Sequence, residues 1–368
     1  MLPDTERILV INPGSTSTKV ALFNGLEKFA EKTVSHSSDE MRDFETLLDQ
    51  LFFREAVIRR FLREQGWKYE SLDAVAGRGG MLHPLDGGIY EVSPDMMADL
   101  RSSRYGDHAS NLGAQLAREI AGRADCPAFI VDPIAVDELD EPARLSGHPE
   151  LPRISVFHAL NQRSVARLVA GRIGKSYDDS RFIVAHMGGG ISIGAHRNGR
   201  VVDVNNALDG DGPFTPERAG TLPTGQVVSL CFNSGKSEAE IRKMIKGGGG
   251  VVAYSGTNDI RELVKQMDAH QGNGEFFRTN PSVVFEALCR QIAQGICAHG
   301  ATLEGKVDAV ILTGGMAHSA MVVERLKAMC GWMAPVEIVP GEREMEALAE
   351  GAFRVLRGEE PLKEYSKQ

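Results

Sequence analysis

The chain has 368 residues, a length that favours two domains over a single core. Its 42% hydrophobic and 25% charged content is ordinary for a globular protein, and no apolar run approaches the ~20 residues a membrane span needs. The net charge of -9 disfavours nucleic acid as the main partner, so an anionic small molecule must meet a local cationic pocket. The first residues are acidic and lead straight into a strand pattern, so no secretory leader is expected and the expected location is cytoplasmic. Five scattered cysteines without CxxC spacing (Cys126, Cys231, Cys289, Cys297, Cys330) read as reduced core thiols.

In chain order, the first predicted element is a β-hairpin over 8–23. Two apolar runs flank Asn12-Pro-Gly-Ser15-Thr-Ser17-Thr-Lys19, a turn of small hydroxylated residues. Such a turn brings backbone N–H groups close to a phosphate; Ser15 and Ser17 add donors, Lys19 adds charge, and Asn12 can orient a metal-bound water. A helix is expected through Phe44, Leu47, Leu48, Leu51, Phe52 and Ile58, then a short strand from Asp73 into Gly77-Arg78-Gly79-Gly80. A second helix opens at His108–Gly113, and a strand over 128–132 ends in the acidic Asp132, an acid at a strand end of the kind that often sits in a cleft.

A second glycine-rich hairpin begins at Arg181, about 175 residues after the first, with His186-Met-Gly188-Gly189-Gly190 at its turn and an Asn198-Gly199 hairpin signal after it. One such turn could be an ordinary solvated loop; two suggest a duplicated domain around one nucleotide. Ser255-Gly-Thr-Asn-Asp259 carries N-cap chemistry ahead of a helix, a long helix is expected around 283–303, and a tail helix over 344–357 could fold back on the first domain. The strand from Asp308 ends in Gly314-Gly315 before a helical segment, which suits the sugar or α-phosphate of a nucleotide. Gly174-Lys175-Ser176 and Gly235-Lys236-Ser237 mimic a Walker A ending, but Val169 and Leu230 stand where its first glycine is required.

Five segments in order, INPGSTSTK (11–19), GHPELPRISVFHALNQRSVAR (147–167), VAHMGGGISIGAHRNGRVVDVNNALDGDGPFTPERAG (184–220), ILTGGMAHS (311–319) and PGEREMEALAEGAFRVLRG (340–358), resemble the butyrate kinase branch of the acetate kinase family, within the actin-like ATPase superfamily. The resemblance covers nearly the whole length. It implies an α/β fold of two duplicated actin-like ATPase (ribonuclease H-like) domains, residues 1–150 with 345–368 and residues 151–344, with a nucleotide cleft between them. It also implies MgATP, reversible phosphoryl transfer to butyrate or a close short or branched carboxylate to give an acyl phosphate and ADP, and a homodimer or higher homo-oligomer.

By the same resemblance, Arg78 contacts the acid or the transferring phosphoryl, His158 donates to that phosphoryl, His186 belongs to the second phosphate loop, and His108 is a more peripheral substrate-site histidine. Asp132 is tied to magnesium and catalysis, with Asn12 and Glu344 as further metal-associated groups; Glu342 and Glu346 compete with Glu344 for that place. Asp259 and Arg261 match a segment near the adenosine, and Gly314 and Gly315 the nucleotide strand-turn. Two departures stand out. The family's second active-site arginine falls in a Gly-Thr-Arg triplet that here reads Gly220-Thr221-Leu222, with Arg218 the nearest substitute, and Gly80 replaces a bulky valine, which could enlarge the acyl pocket. An actin- or chaperone-like ATPase without acyl transfer is the alternative, and a sugar or glycerol kinase a third reading.

Overall fold

The computed structural model describes residues 6–42, 44–269 and 280–367. The chain divides into two compact units: Met1–Asp137, Ala159–Asn161 and Arg343–Gln368 form the first, and Glu138–His158 with Gln162–Glu342 form the second. The first thus ends before position 150. Its successor segment is tied into the second unit: Asp140 N–H donates to Val202 O at 2.9 Å, and the Glu138 carboxylate accepts Arg163 at 2.9 Å and Val201 N–H at 2.8 Å.

The first unit is built on β1 (Arg7–Gly14), β2 (Ser17–Asn24), β3 (Glu27–Ser35), β4 (Ala74–Gly77), β5 (Ile89–Glu91) and β6 (Ala128–Val131). The second holds β7 (Arg181–Met187), β8 (Ile191–Arg197), β9 (Arg200–Val204), β10 (Ala309–Gly314) and β11 (Val336–Pro340); β12 (Leu362–Lys363) returns to the first. The sheet orders are β12-β5-β6-β4-β1-β2-β3 and β11-β10-β7-β8-β9. In both, an antiparallel three-strand meander is followed outward from its first strand by two parallel strands, which is the expected duplication.

Alternation along the strands explains the layers. Leu9, Ile11, Val20 and Leu22 pack beneath the helices Leu51–Glu64 and Asn111–Ala124, while Ile8, Val10, Ala21 and Phe23 meet the tail helix Glu344–Leu356 on the other face. In the second unit Ile183, Ala185 and Met187 pack with the helix Pro281–Thr302, and Phe182 and Val184 with Val165, Ala166 and Val169. Both decoy glycines take a positive φ just past helices, as turn punctuation does.

Two elements differ from expectation. The first long helix begins at Leu51, not near Phe44, because the Asp49 carboxylate accepts the N–H and O–H of Thr46 and closes a separate turn; Phe52 is 80% exposed. Strand β3 was not foreseen. Its sequence EKFAEKTVS is an edge strand studded with Lys and Glu, which hides the strand pattern while discouraging edge-to-edge association.

Candidate active site

Asn12 lies near the end of β1, opposite Lys19 on β2, and Ser15-Thr16 form an exposed two-residue tip closed by the Gly14–Ser17 pair. Arg54, which the sequence reading missed, sits wholly buried beneath it. Its guanidinium donates to the carbonyls of Gly14 (2.9 Å), Ser15 (3.3 Å) and Ser17 (2.7 Å) and to Thr18 Oγ1 (3.0 Å). The remaining carbonyl, Thr16 O, accepts His36 N–H at 2.8 Å. Every carbonyl from 14 to 17 is therefore engaged by protein. Arg54 forms no ion pair among the described residues; burial lowers its pKa, but a guanidinium stays protonated, so its positive charge stands directly behind the hairpin. Lys19 is not at the tip: its ammonium is 3.1 Å from Glu31 on β3.

At the mouth of β4, Arg78 is 2.6 Å from Glu344 Oε1, while Asn12 Nδ2 donates to Glu344 Oε2 at 2.6 Å and Arg78 reaches Asn12 Oδ1 at 3.4 Å. These three expected residues are joined in one trio. Of the neighbouring glutamates, Glu346 pairs with Lys28, and Glu342 lies 3.8 Å from His186 in the other unit. Asp132 adopts φ +39 at the end of β6, is 2% exposed, and accepts Gly88 N–H at 2.8 Å. His108 stands exposed on the loop entering the Asn111–Ala124 helix, its Nδ1 2.8 Å from Ser110 Oγ.

Gly80 does not open a pocket. A Cβ there would strike Asn111 Oδ1 and lie 2.7 Å from Asn111 Cα and 2.8 Å from Leu100 Cδ2, so its missing side chain is what lets the helix start press against the loop. Asn111 Oδ1 in turn accepts Met81 N–H at 2.8 Å. The expectation of an enlarged acyl pocket at Gly80 is corrected accordingly: the space is filled by neighbours.

Within the second unit, a cavity of about 710 Å³ is lined by Gly188, Gly189, Asp259, Arg261 and Gly315, five of the expected nucleotide residues, with Glu217, Asn258, Met316 and His318 among the other walls. The last four carried no phosphate or glycine signal of their own. Asp259 and Arg261 form a two-pronged ion pair (2.7 and 3.0 Å) that holds the Asp259 pKa down at about 2, the Arg261 hydrogen bond being the main cause. Gly314, at φ +83, lets the end of β10 approach Met187, where a Cβ would come within 2.7 Å of its N–H nitrogen. Gly190 adjoins the guanidinium of Arg218, which donates to Ala207 O at 2.5 Å and whose Nε is buried without a partner among the described residues.

The rings of His158 and His186 stack, with centroids 3.8 Å apart and planes 11° from parallel. His158 precedes the helix Ala159–Arg172, and its Nδ1 is 2.9 Å from Ser192 Oγ on β8. The glycine-rich turn, the stacked imidazoles and Arg218 thus bring donors and a cation together in this unit.

Comparison with known proteins supports this architecture. Residues 152–338 match the Acetokinase family. Two proteins of Clostridium botulinum strains, each described as a probable butyrate kinase, are 48% and 47% identical over 359 residues, covering 98% of this chain and 99% of each relative. Among solved structures, the acetate kinase of Porphyromonas gingivalis has a TM-score of 0.77 at 19% identity, covering 96% of this chain and 100% of that one. A propionate kinase of Francisella tularensis has a TM-score of 0.72 at 17% identity, covering 94% and 99%. These likenesses show the actin-like ATPase fold. Identity near one half along almost the entire length, carried by the duplicated sheets just described, shows that the chain belongs to the Acetokinase family.

Proposed function

We propose that this chain is an ATP-dependent kinase of short-chain carboxylates, with butyrate or a close short or branched acid as acceptor. The observation that carries the reading is Arg78, a partly exposed guanidinium fixed by Glu344 and Asn12 at a strand end flanked by small residues. A carboxylate approaching a triphosphate meets like-charge repulsion, so the chemistry needs positioned cations more than a base; the acid is already ionised at neutral pH. A carboxylate oxygen attacks the γ-phosphorus, the bond to the β,γ-bridging oxygen breaks, and its electrons leave with ADP.

In this reading Arg78 neutralises the incoming carboxylate or the phosphoryl, and the first hairpin presents its tip to phosphate oxygens with Arg54 as a fixed positive charge behind it. The glycine turn at 188–190 receives phosphate in the second unit, Asp259 and Arg261 flank the adenosine, and His158 donates a hydrogen bond to the transferring phosphoryl. Arg218, beside Gly190, takes the place of the family's second arginine. His186 supports His158 by stacking, and His108 is a peripheral contact for the acid.

The oxygen donors of Glu344, Asn12 and Asp132 fit a hard cation. That donor set suits an ion that prefers oxygen ligands and keeps most of its waters, as magnesium does. Magnesium would supply charge neutralisation on the β- and γ-phosphates. A cytoplasmic location belongs to the same reading, and no helix among the described residues is long and apolar enough to cross a membrane. Self-association is supported by the helix Thr224–Asn233, an apolar segment with no buried residue and with Phe232 83% exposed.

The test is an ATP-dependent hydroxamate assay across acids of two to five carbons, with free phosphate measured in parallel. Hydroxamate equal to ADP formed is expected, best with four-carbon acids. Free phosphate without hydroxamate would instead indicate an ATPase, and phosphorylation of an alcohol a sugar or glycerol kinase.

A further inference from the structure

Ser192, Gly194 and His196 lie at alternate positions of β8 and so share one face. The amide of Gln162 fills the space above Gly194, where a Cβ would fall 2.5 Å from Gln162 Oε1. Gln162 thereby links Ser192 to His196, and all three are completely buried. Tyr177 extends the chain at one end, with its hydroxyl 2.8 Å from His196 Nδ1, and His158 ends it at the other, with Nδ1 2.9 Å from Ser192 Oγ.

The direction of each hydrogen bond follows from one fixed point. The carbonyl of Ser192 can only accept, and it lies 3.0 Å from one terminal atom of Gln162, so that atom is the amide nitrogen, which also donates to Ser192 Oγ at 2.8 Å. The opposite atom, Oε1, is an acceptor 2.9 Å from His196 Nε2, which therefore bears hydrogen. Burial and nearby arginines drive the pKa of His196 well below its ordinary value, so the ring is neutral and its Nδ1 accepts from the Tyr177 hydroxyl. At the other end Ser192 Oγ already accepts from Gln162, and the only acceptor within reach of its own hydrogen among the described residues is His158 Nδ1. Donating to it avoids a buried, unmade hydrogen bond.

We propose that Tyr177, His196, Gln162 and Ser192 form a positioning chain that holds His158 as the neutral tautomer with its proton on Nε2. His158 is then a ready hydrogen-bond donor, and an anionic phosphoryl meets N–H instead of a lone pair. The catalytic consequence rests on the reading of His158 given above; the tautomer itself does not.

The test is nitrogen-15 NMR of the intact enzyme labelled in histidine, at pH 7.5, with the His158 signals assigned by their loss in His158→Gln. A pyridine-type Nδ1 and a pyrrole-type Nε2 are expected. A protonated Nδ1, in either the neutral or the cationic ring, overturns the proposal. In Gln162→Glu the carboxylate can only accept, so the Ser192 hydrogen turns toward it and His158 Nδ1 becomes the donor. The two signals are expected to exchange type, while kcat falls roughly tenfold to a hundredfold and the KM for ATP changes little. A folded Gln162→Glu enzyme with an ionised new carboxyl and an unaltered His158 spectrum also refutes the chain; if that variant does not fold, or its buried carboxyl stays protonated, the wild-type spectrum decides alone. The expected spectrum combined with full activity of His158→Gln would uphold the chain and refute the catalytic reading of His158.

Discussion

Replacing Arg54 is the sharpest perturbation of the first hairpin. In Arg54→Met the side-chain volume is roughly kept, but the carbonyls of Gly14, Ser15 and Ser17 and the Thr18 hydroxyl lose their donor together. An unmade buried hydrogen bond costs about 1–3 kcal/mol. The tip at Ser15 and Thr16 is exposed, so water can recover part of the loss, and a net destabilisation of about 3–5 kcal/mol is expected, as for other broken buried charge sites. Urea unfolding followed by circular dichroism measures this directly. Arg54→Lys separates stability from function: it keeps the charge but cannot reproduce a fork that spans several carbonyls. That variant is expected to fold and to raise the KM for ATP by about five- to thirtyfold, equivalent to ~1–2 kcal/mol, with a smaller effect on the KM for the acid. A folded lysine variant with wild-type affinity for ATP, or a methionine variant that loses less than ~1 kcal/mol, would refute the idea that Arg54 shapes the hairpin for phosphate.

Other substitutions probe the remaining groups. Arg78→Ala is expected to lower kcat/KM for the acid roughly thirty- to a thousandfold, from the loss of ~2–4 kcal/mol of charge-assisted contact, while ATP affinity changes less; steady-state kinetics with each substrate varied would show this. Asp132→Asn retains an oxygen that can accept Gly88 N–H, so the fold should persist while phosphoryl transfer falls; near-normal activity across a magnesium titration would remove Asp132 from the metal environment. Gly80→Val is expected to destabilise by at least ~1–3 kcal/mol through overpacking against Asn111 and Leu100, without a selective change in the butyrate-to-acetate ratio, measured by thermal unfolding and paired kinetics. His36, His196 and His299 all have pKa values lowered chiefly by burial. Above the unfolded-state value of about 6.5 both states are neutral, but below it the unfolded chain binds protons that the folded one resists, so stability should fall as pH drops from 7 to 5, by up to ~1.4 kcal/mol per pH unit for each such histidine. A urea midpoint unchanged over that range would contradict the buried neutral state.

The parts of this protein written locally in its sequence were the strands and their turns. Asn198-Gly199 can be recognised without any partner, because both residues take positive φ and the flanking strands are β-branched. Gly314 was legible for a related reason: where backbone must press against a neighbouring strand, a side chain has to be absent. The cap at Asp259 is also local, since its carboxylate accepts Arg261 N–H two residues on.

What only the tertiary structure decided depended on groups far apart in the chain. Nothing near Glu344 distinguishes it from Glu342 or Glu346; Asn12, 332 positions away, does. Nothing in the residues around Arg54 singles it out; its place under the hairpin is seen only where the carbonyls of Gly14, Ser15 and Ser17 converge on it. Gly80 invites a pocket by its small size, yet whether a missing side chain leaves a void or admits a neighbour depends on where Leu100 and Asn111 come to lie. Periodicity and turn chemistry act within a few residues, whereas burial, charge pairing and hydrogen-bond direction are set by whichever atoms folding brings to the same place.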